Sequence, residues 1–190
     1  MDAVLPGFIT SLLAQSRDPS DVPDIAVSAA RDWHAPLAAR VLQLLNTQTP
    51  MPGAFLAHGY AHLPLPVPDP LTAYLRVSDT RAMTAWSASA PAALLTLAGV
   101  THLEMYRKAD EMCGGHPQYA RAFGPGEFFA VHPGTLCATT GSETTVQLLA
   151  TTGPAAVPGA ALAGVTCAAF TQRARRRLEQ VALTPVGGPC

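Results

Sequence analysis

The sequence predicts an α+β domain: an N-terminal helical layer, a small mainly antiparallel sheet and a long C-terminal helix. Three observations lead there. Apolar residues recur at three- and four-residue spacing in the first fifty residues and again after Pro158, which is the helical period. Between residues 127 and 151, Thr-rich and β-branched runs are separated by turn residues such as Pro133-Gly134 and Gly141, which reads as strands. Finally, 190 residues with 48% hydrophobic and 13% charged side chains describe a packed object of single-domain size, able to bury roughly 70% of its unfolded surface.

The expected organisation is one domain over 1–190: a helical part at 1–49, a Pro-rich strap at 50–70, a mixed region of helix and antiparallel strands at 71–152, and a C-terminal helix and tail at 153–190. Leu5, Phe8, Ile9, Leu12 and Leu13 place one apolar stripe on a first helix ending near Ser16 to Pro19. A second helix starts near Ser20 to Asp24, where acids suit the positive helix end, and carries Val22, Ile25, Ala29 and Trp33. Pro36 suits the first turn of a third, with Leu37, Val41, Leu44 and Leu45 on one face. In the strap, Pro64, Pro66, Pro68 and Pro70 remove amide donors at every second position, so the segment is extended and expected outside any sheet interior.

Residues 71–78 read as a strand and 80–89 as a short helix. Pro91 then opens an expected helix through Leu94, Leu95, Leu97, Leu103 and Tyr106, with Glu104–Lys108 and Arg107–Glu111 as i,i+4 pairs, stopped by Gly114-Gly115 and Pro117. Residues 127–151 are expected to form an antiparallel meander. The last helix, from about Pro158 to Leu183, carries Ala160, Ala163, Cys167, Phe170, Ala174, Leu178 and Val181 as a seam. On that helix Arg173, Arg176 and Arg177 fall within about 100° of one another, while Arg175 lies elsewhere and can pair with Glu179.

The formal net charge is −1, so no global field draws the protein to nucleic acid or an acidic membrane. Charge is nonetheless uneven. Residues 1–34 hold five acids against two arginines, net −3, and residues 171–190 hold four arginines against Glu179, net +3. The low charged share leaves little ionic surface to cover a monomer, which predicts a homo-oligomer. Cys113, Cys137, Cys167 and Cys190 form no Cys-x-x-Cys pair, which predicts free thiols in a reducing compartment. Met1-Asp2-Ala3 lacks the basic start of a signal peptide, so the expected location is the cytoplasm. Residues 144–172 are uncharged and precede an arginine cluster, but Pro154, Pro158 and many small residues argue against a membrane span.

Two sets of side chains could carry metal chemistry. His58 and His62 would share an ion on a helix, but on a strand they stand about 13 Å apart. The alternation from Phe55 to Leu63 between Pro52 and Pro64 favours an extended segment, with the histidines lining a groove or the surface. Cys113 and His116 have Cys-x-x-His spacing, with His102 or His132 available in space, although Gly114-Gly115 is explained as a helix stop. Nucleotide-fold and common hydrolase signatures do not occur.

Residues 124–153, from Gly124-Pro125-Gly126-Glu127-Phe128-Phe129 through His132-Pro133-Gly134-Thr135, resemble the second conserved stretch of cupin barrels. The resemblance covers about thirty residues of the chain. Where that pattern places a metal-binding histidine this sequence has Cys137, and no matching first stretch lies upstream, so the resemblance implies no metal chemistry here.

The sequence therefore predicts a non-catalytic, oligomeric binding protein without a cofactor. Its expected surface is Arg173, Arg176 and Arg177, gripping an anionic partner, with DNA or RNA first and the acidic N-terminal region of a neighbouring subunit second. The alternatives are a small-molecule-binding or metal-dependent enzyme using His58, His62, Cys113, His116 and His132, and a structural protein–protein interaction module.

Overall fold

A computed structural model describes residues 4–15, 29–47, 52–78, 84–87, 89–106, 110–131, 133–141, 144–152 and 159–183. Strand formation dominates. One sheet has seven antiparallel strands: β1 (Phe55–Ala57), β2 (Tyr60–Leu65), β3 (Thr72–Ser78), β5 (Ala92–Ala98), β8 (Phe128–Val131), β10 (Thr145–Thr151) and β11 (Ala160–Ala161). Their spatial order is β11-β1-β2-β3-β10-β5-β8. A second sheet has four, β4 (Thr84–Ser87), β6 (Thr101–Tyr106), β7 (Tyr119–Phe123) and β9 (Leu136–Gly141), in the order β4-β9-β6-β7.

The helices α1 (Val4–Gln15), α2 (Ala29–Thr47) and α3 (Gly164–Leu183) cover one face of the larger sheet. Phe8, Ile9, Leu37, Val41, Leu45, Cys167, Ala174 and Leu178 meet Leu63, Leu75, Val77, Leu95, Leu97 and Leu148 in one apolar core. The other face of the same strands packs on the four-stranded sheet, where Leu94, Leu149, Phe129 and Val131 meet Leu103, Phe123 and Cys137. Because side chains alternate along a strand, each central strand of the larger sheet serves both cores at once.

From β3 to β10 the chain passes repeatedly between the sheets. The sharpest passage is Gly99-Val100, joining β5 to β6. Gly99 has φ +79, and a Cβ there would stand 3.0 Å from Thr145 Oγ1 and 3.1 Å from Thr145 Cα. Glycine meets both demands at this corner.

The α+β expectation is thus corrected to a mainly β fold of two antiparallel sheets, with the α-helices among the described residues on one face of the larger sheet. The expected helix after Pro91 is instead β5 and β6. The run Ala-Ala-Leu-Leu-Thr-Leu-Ala has no visible two-residue period because β5 is buried on both faces, so its apolar residues fill consecutive positions. The expected helix at 80–89 contains β4, an edge strand paired to β9 through Trp86↔Cys137; residues 79–83 and 88 lie outside the described residues. The Pro-rich strap is not outside the sheet. It forms the β1–β2 hairpin, and β2 lies between β1 and β3 with Pro64 opposite Tyr74.

The strands at 127–151 occur, but not as a meander: β8 pairs β5, β9 pairs β4 and β6, and β10 pairs β3 and β5. Helix α1 and the strand at 71–78 match the sequence reading. Pro36 does not open a helix but lies inside α2, and the expected helix at 20–28 lies outside the described residues. The last helix starts at Gly164, after Ala160 has joined β11. No helix among the described residues is long and apolar enough to cross a membrane.

Candidate anion site between the sheets

The inner face of the larger sheet changes character along its strands. Toward one end, Tyr74, Leu149, Leu94 and Phe129 line up across four strands as an apolar row. Two residues along, the row reads His62, Arg76, Gln147 and Thr96, in register across β2, β3, β10 and β5. All four are buried; Arg76 is 2% exposed and Gln147 0%.

Arg76 lies among aromatic rings. Its guanidinium carbon is 4.1 Å from the centroid of Tyr60 and 5.4 Å from that of Trp86, which comes from the facing sheet. These faces attract a cation but accept no N–H hydrogen bond in the plane of the guanidinium. Arg76 Nε and Nη1 are buried without a hydrogen-bond partner, as are Tyr60 Oη and Gln147 Oε1. Burial holds the Arg76 pKa down to about 10, opposed by Tyr60 and Cys137, so the group stays cationic at neutral pH.

The neighbours are fixed by bonds of their own. Gln147 Nε2 donates to Thr101 Oγ1 at 2.7 Å, and Thr101 Oγ1 lies 2.9 Å from Thr96 Oγ1. Trp86 Nε1 donates to Thr139 Oγ1 at 3.2 Å. His62 stacks on Phe55, with ring centroids 4.6 Å apart, and stands edge-on to Tyr74 at 5.9 Å. Its Nδ1 donates to the Tyr60 carbonyl at 3.1 Å, which leaves Nε2 as an acceptor. Burial first, and the Arg76 charge second, lower the His62 pKa to about 3. Burial pushes the Cys137 thiol up to about 12, partly offset by Arg76. At neutral pH the site therefore holds one cation, a neutral imidazole and a protonated thiol. That inventory suits holding an anion, while the thiol keeps its proton and is a poor nucleophile.

The residues expected from the sequence are placed as follows. His58 is exposed at the β1–β2 turn with φ 50, followed by Gly59 with φ 72, and His62 is buried inside the sheet, so the segment is extended on either side of a turn and not as the single run expected, and only His58 is at the surface. Burial and then Arg76 lower the His58 pKa. Cys113 closes a short 3-10 turn (Asp110–Cys113), and His116 is exposed just beyond it. His102 is exposed on β6, and His132 lies outside the described residues. Among the described residues no three His, Cys, Asp or Glu side chains converge as a metal site.

Arg173 and Arg176 are exposed on α3 and Arg177 is half-buried, with Arg173 over the Phe170 ring at 5.3 Å and Arg177 donating to Gln180 Oε1 at 3.1 Å. Arg175 does not turn to Glu179 but donates to the Leu45 carbonyl of α2. Cys137 and Cys167 are free thiols, both buried.

Sequence reasoning missed Arg76, Tyr60, Trp86 and Gln147. The signal was the alternation of Thr72, Tyr74, Arg76 and Ser78 with Ala73, Leu75 and Val77, which ordinarily reads as a polar face toward water. Here that face meets a second sheet.

No protein-family model matches the chain, and no curated protein matches it. Among solved structures it is similar to a conserved protein of unknown function from Streptococcus pyogenes, at 15% identity over 51% of this chain and 76% of that one, with a TM-score of 0.40. It is also similar to a cupin superfamily protein from Desulfitobacterium hafniense, at 12% identity over 50% of this chain and 79% of that one, with a TM-score of 0.39. An RmlC-like cupin from Shewanella frigidimarina is similar at 12% identity, over 50% and 78% of the two chains, with a TM-score of 0.41. None of the three superposes closely enough to transfer a function.

Proposed function

We propose that the protein binds a small anionic molecule between its two sheets, with Arg76 as the charge that holds it. The observation that carries this reading is the guanidinium with two unpartnered nitrogens, sunk beside two aromatic rings. An uncompensated buried charge is unfavourable by several kcal/mol, and a buried unpaired polar group by about 1–3 kcal/mol. Such groups persist where a ligand completes them, and a carboxylate is an anion that a guanidinium holds through strong charge-assisted hydrogen bonds.

The four unpartnered atoms are closed off from solvent, so binding entails a local parting of the sandwich and association slower than the ordinary range of about 10⁵–10⁷ M⁻¹s⁻¹. Thermal unfolding of the wild type and of Arg76→Met with a panel of small carboxylates tests the proposal. A concentration-dependent rise in Tm in the wild type, lost in Arg76→Met, is expected. Equal response of both proteins, or of neither, counts against it.

A second reading is a homo-oligomer that contacts nucleic acid through Arg173, Arg176 and Arg177. It is favoured by the continuity of α3, which carries all three on one helix with two of them exposed. Binding to DNA or RNA at low salt that weakens when the three are changed to alanine supports it. No detectable binding at low salt removes it, and a clean monomer in sedimentation removes the oligomer.

A further inference from the structure

We infer that the anion recognised at Arg76 is a hydroxycarboxylate, carrying a hydrogen-bond donor beside its charged group. This rests on the reading of Arg76 as an anion site and adds the identity of what lies next to the charge.

The inference follows from which atoms around Arg76 are left over, and with which polarity. Gln147 sits directly opposite Arg76 in the β3–β10 register, so the two side chains rise together from the inner face. The amide nitrogen of Gln147 is committed to Thr101 Oγ1 at 2.7 Å, and this turns its oxygen the other way. That oxygen is buried and unpartnered, as are Arg76 Nε and Nη1. Two donors on Arg76 therefore ask for an acceptor, while the acceptor on Gln147 asks for a donor, and the two residues do not satisfy one another. Tyr60 Oη, unpartnered as well, can serve in either sense. On the other flank of Arg76 stands His62, whose Nδ1 is spent on the Tyr60 carbonyl and whose Nε2 is an acceptor.

The row thus reads acceptor, cation, acceptor. A simple carboxylate would satisfy one of the open donors of Arg76 and leave Gln147 Oε1 buried without a proton. A dicarboxylate would set a second charge against that oxygen. A carboxylate with an adjacent hydroxyl supplies both polarities, and a site built around a hydroxyl rejects the analogue lacking it far more strongly than an apolar pocket rejects a missing methylene.

Titration calorimetry of the full chain with three probes tests this: propionate, lactate, which adds one hydroxyl, and malonate, which adds a second carboxylate. Lactate is expected to bind at least about tenfold tighter than propionate. That preference should fall to near unity in Gln147→Leu. Equal affinity for lactate and propionate in the wild type, both lost in Arg76→Met, overturns the hydroxycarboxylate inference and leaves the anion site standing. Malonate binding more tightly than lactate overturns it too, since that is the outcome for the reverse amide orientation. If no probe binds the wild type, the anion site itself falls. The wild-type comparison decides the matter even if Gln147→Leu does not fold.

Discussion

The two faces of the seven-stranded sheet are built from the same strands, one residue out of phase, and they do different things. Toward the helices, Leu63, Leu75, Leu148 and Leu95 stand in register across β2, β3, β10 and β5. One residue earlier or later on those strands stand His62, Arg76, Gln147 and Thr96, also buried. The first row removes only apolar surface from water and gains without penalty. The second buries a charge, an imidazole, an amide and a hydroxyl. The helical side therefore has stability to spare for the polar row on the inner side.

The largest expected effect breaks the helical side. Leu148→Ala removes a fully buried side chain between Leu75 and Leu95 and should destabilise by about 2–5 kcal/mol, read as a lower urea midpoint at constant m. Arg76→Met, of similar length and without charge, should act in the opposite direction. In the absence of added carboxylate it should raise stability, on the order of 1–4 kcal/mol, because a buried charge that among the described residues is met by aromatic faces and by no carboxylate leaves the interior. Should Arg76→Met destabilise as Leu148→Ala does, the guanidinium is a structural element and the contrast between the faces disappears.

Acid sharpens the contrast next. The His62 pKa falls from 6.5 in the unfolded chain to about 3 in the folded protein, so between those values the unfolded state binds the extra proton. The stability that His62 allows is complete above pH 6.5 and declines as pH falls toward 3, with a slope of about 1.4 kcal/mol per pH unit. Carboxylates add slopes of their own, so the measurement is a difference. His62→Phe keeps a ring against Phe55 and Tyr74 and should lose that part of the acid sensitivity. Identical pH profiles for the two proteins would mean that His62 is not held neutral.

How much of this was readable in the sequence follows from which rows alternate. Strand β3 was readable because Ala73, Leu75 and Val77 alternate with polar residues. Strand β5 was not, because Leu94 and Leu95 both face cores and the period vanishes. Helices α1 and α3 declared themselves by their stripes, and Pro36 misled because the helix around it continues through a position where one amide bond is missing. The site was hidden for a different reason. Arg76 and Gln147 look like solvent-facing residues until a second sheet is laid over them, and in that sheet the pairing of β6 with β9 joins residues from Tyr106↔Leu136 to Thr101↔Gly141, far apart in the chain. Histidine spacing drew attention to His58 with His62, whereas the partner that matters to His62 is Arg76, across the strand pair.

The smallest expected effect uses the two buried thiols as reporters for the two sides. Cys137 lies on the inner side beside Arg76, and Cys167 lies in the helix layer with Ala174 and Leu178. A thiol whose pKa is pushed up to about 12 scarcely reacts at neutral pH while it stays buried, so labelling of Cys137 reports parting of the sheets. A ligand that holds Arg76 stabilises the closed form by the factor one plus its concentration over Kd, which is about tenfold at ten times Kd. Peptide-resolved mass spectrometry should then show labelling of Cys137 slowed by about that factor, while Cys167 is unchanged if the parting is local. Equal slowing at both sites would mean that the two sides open only together, in global unfolding. In that case the division of labour between the faces concerns where binding energy enters the fold and not which part of the fold moves.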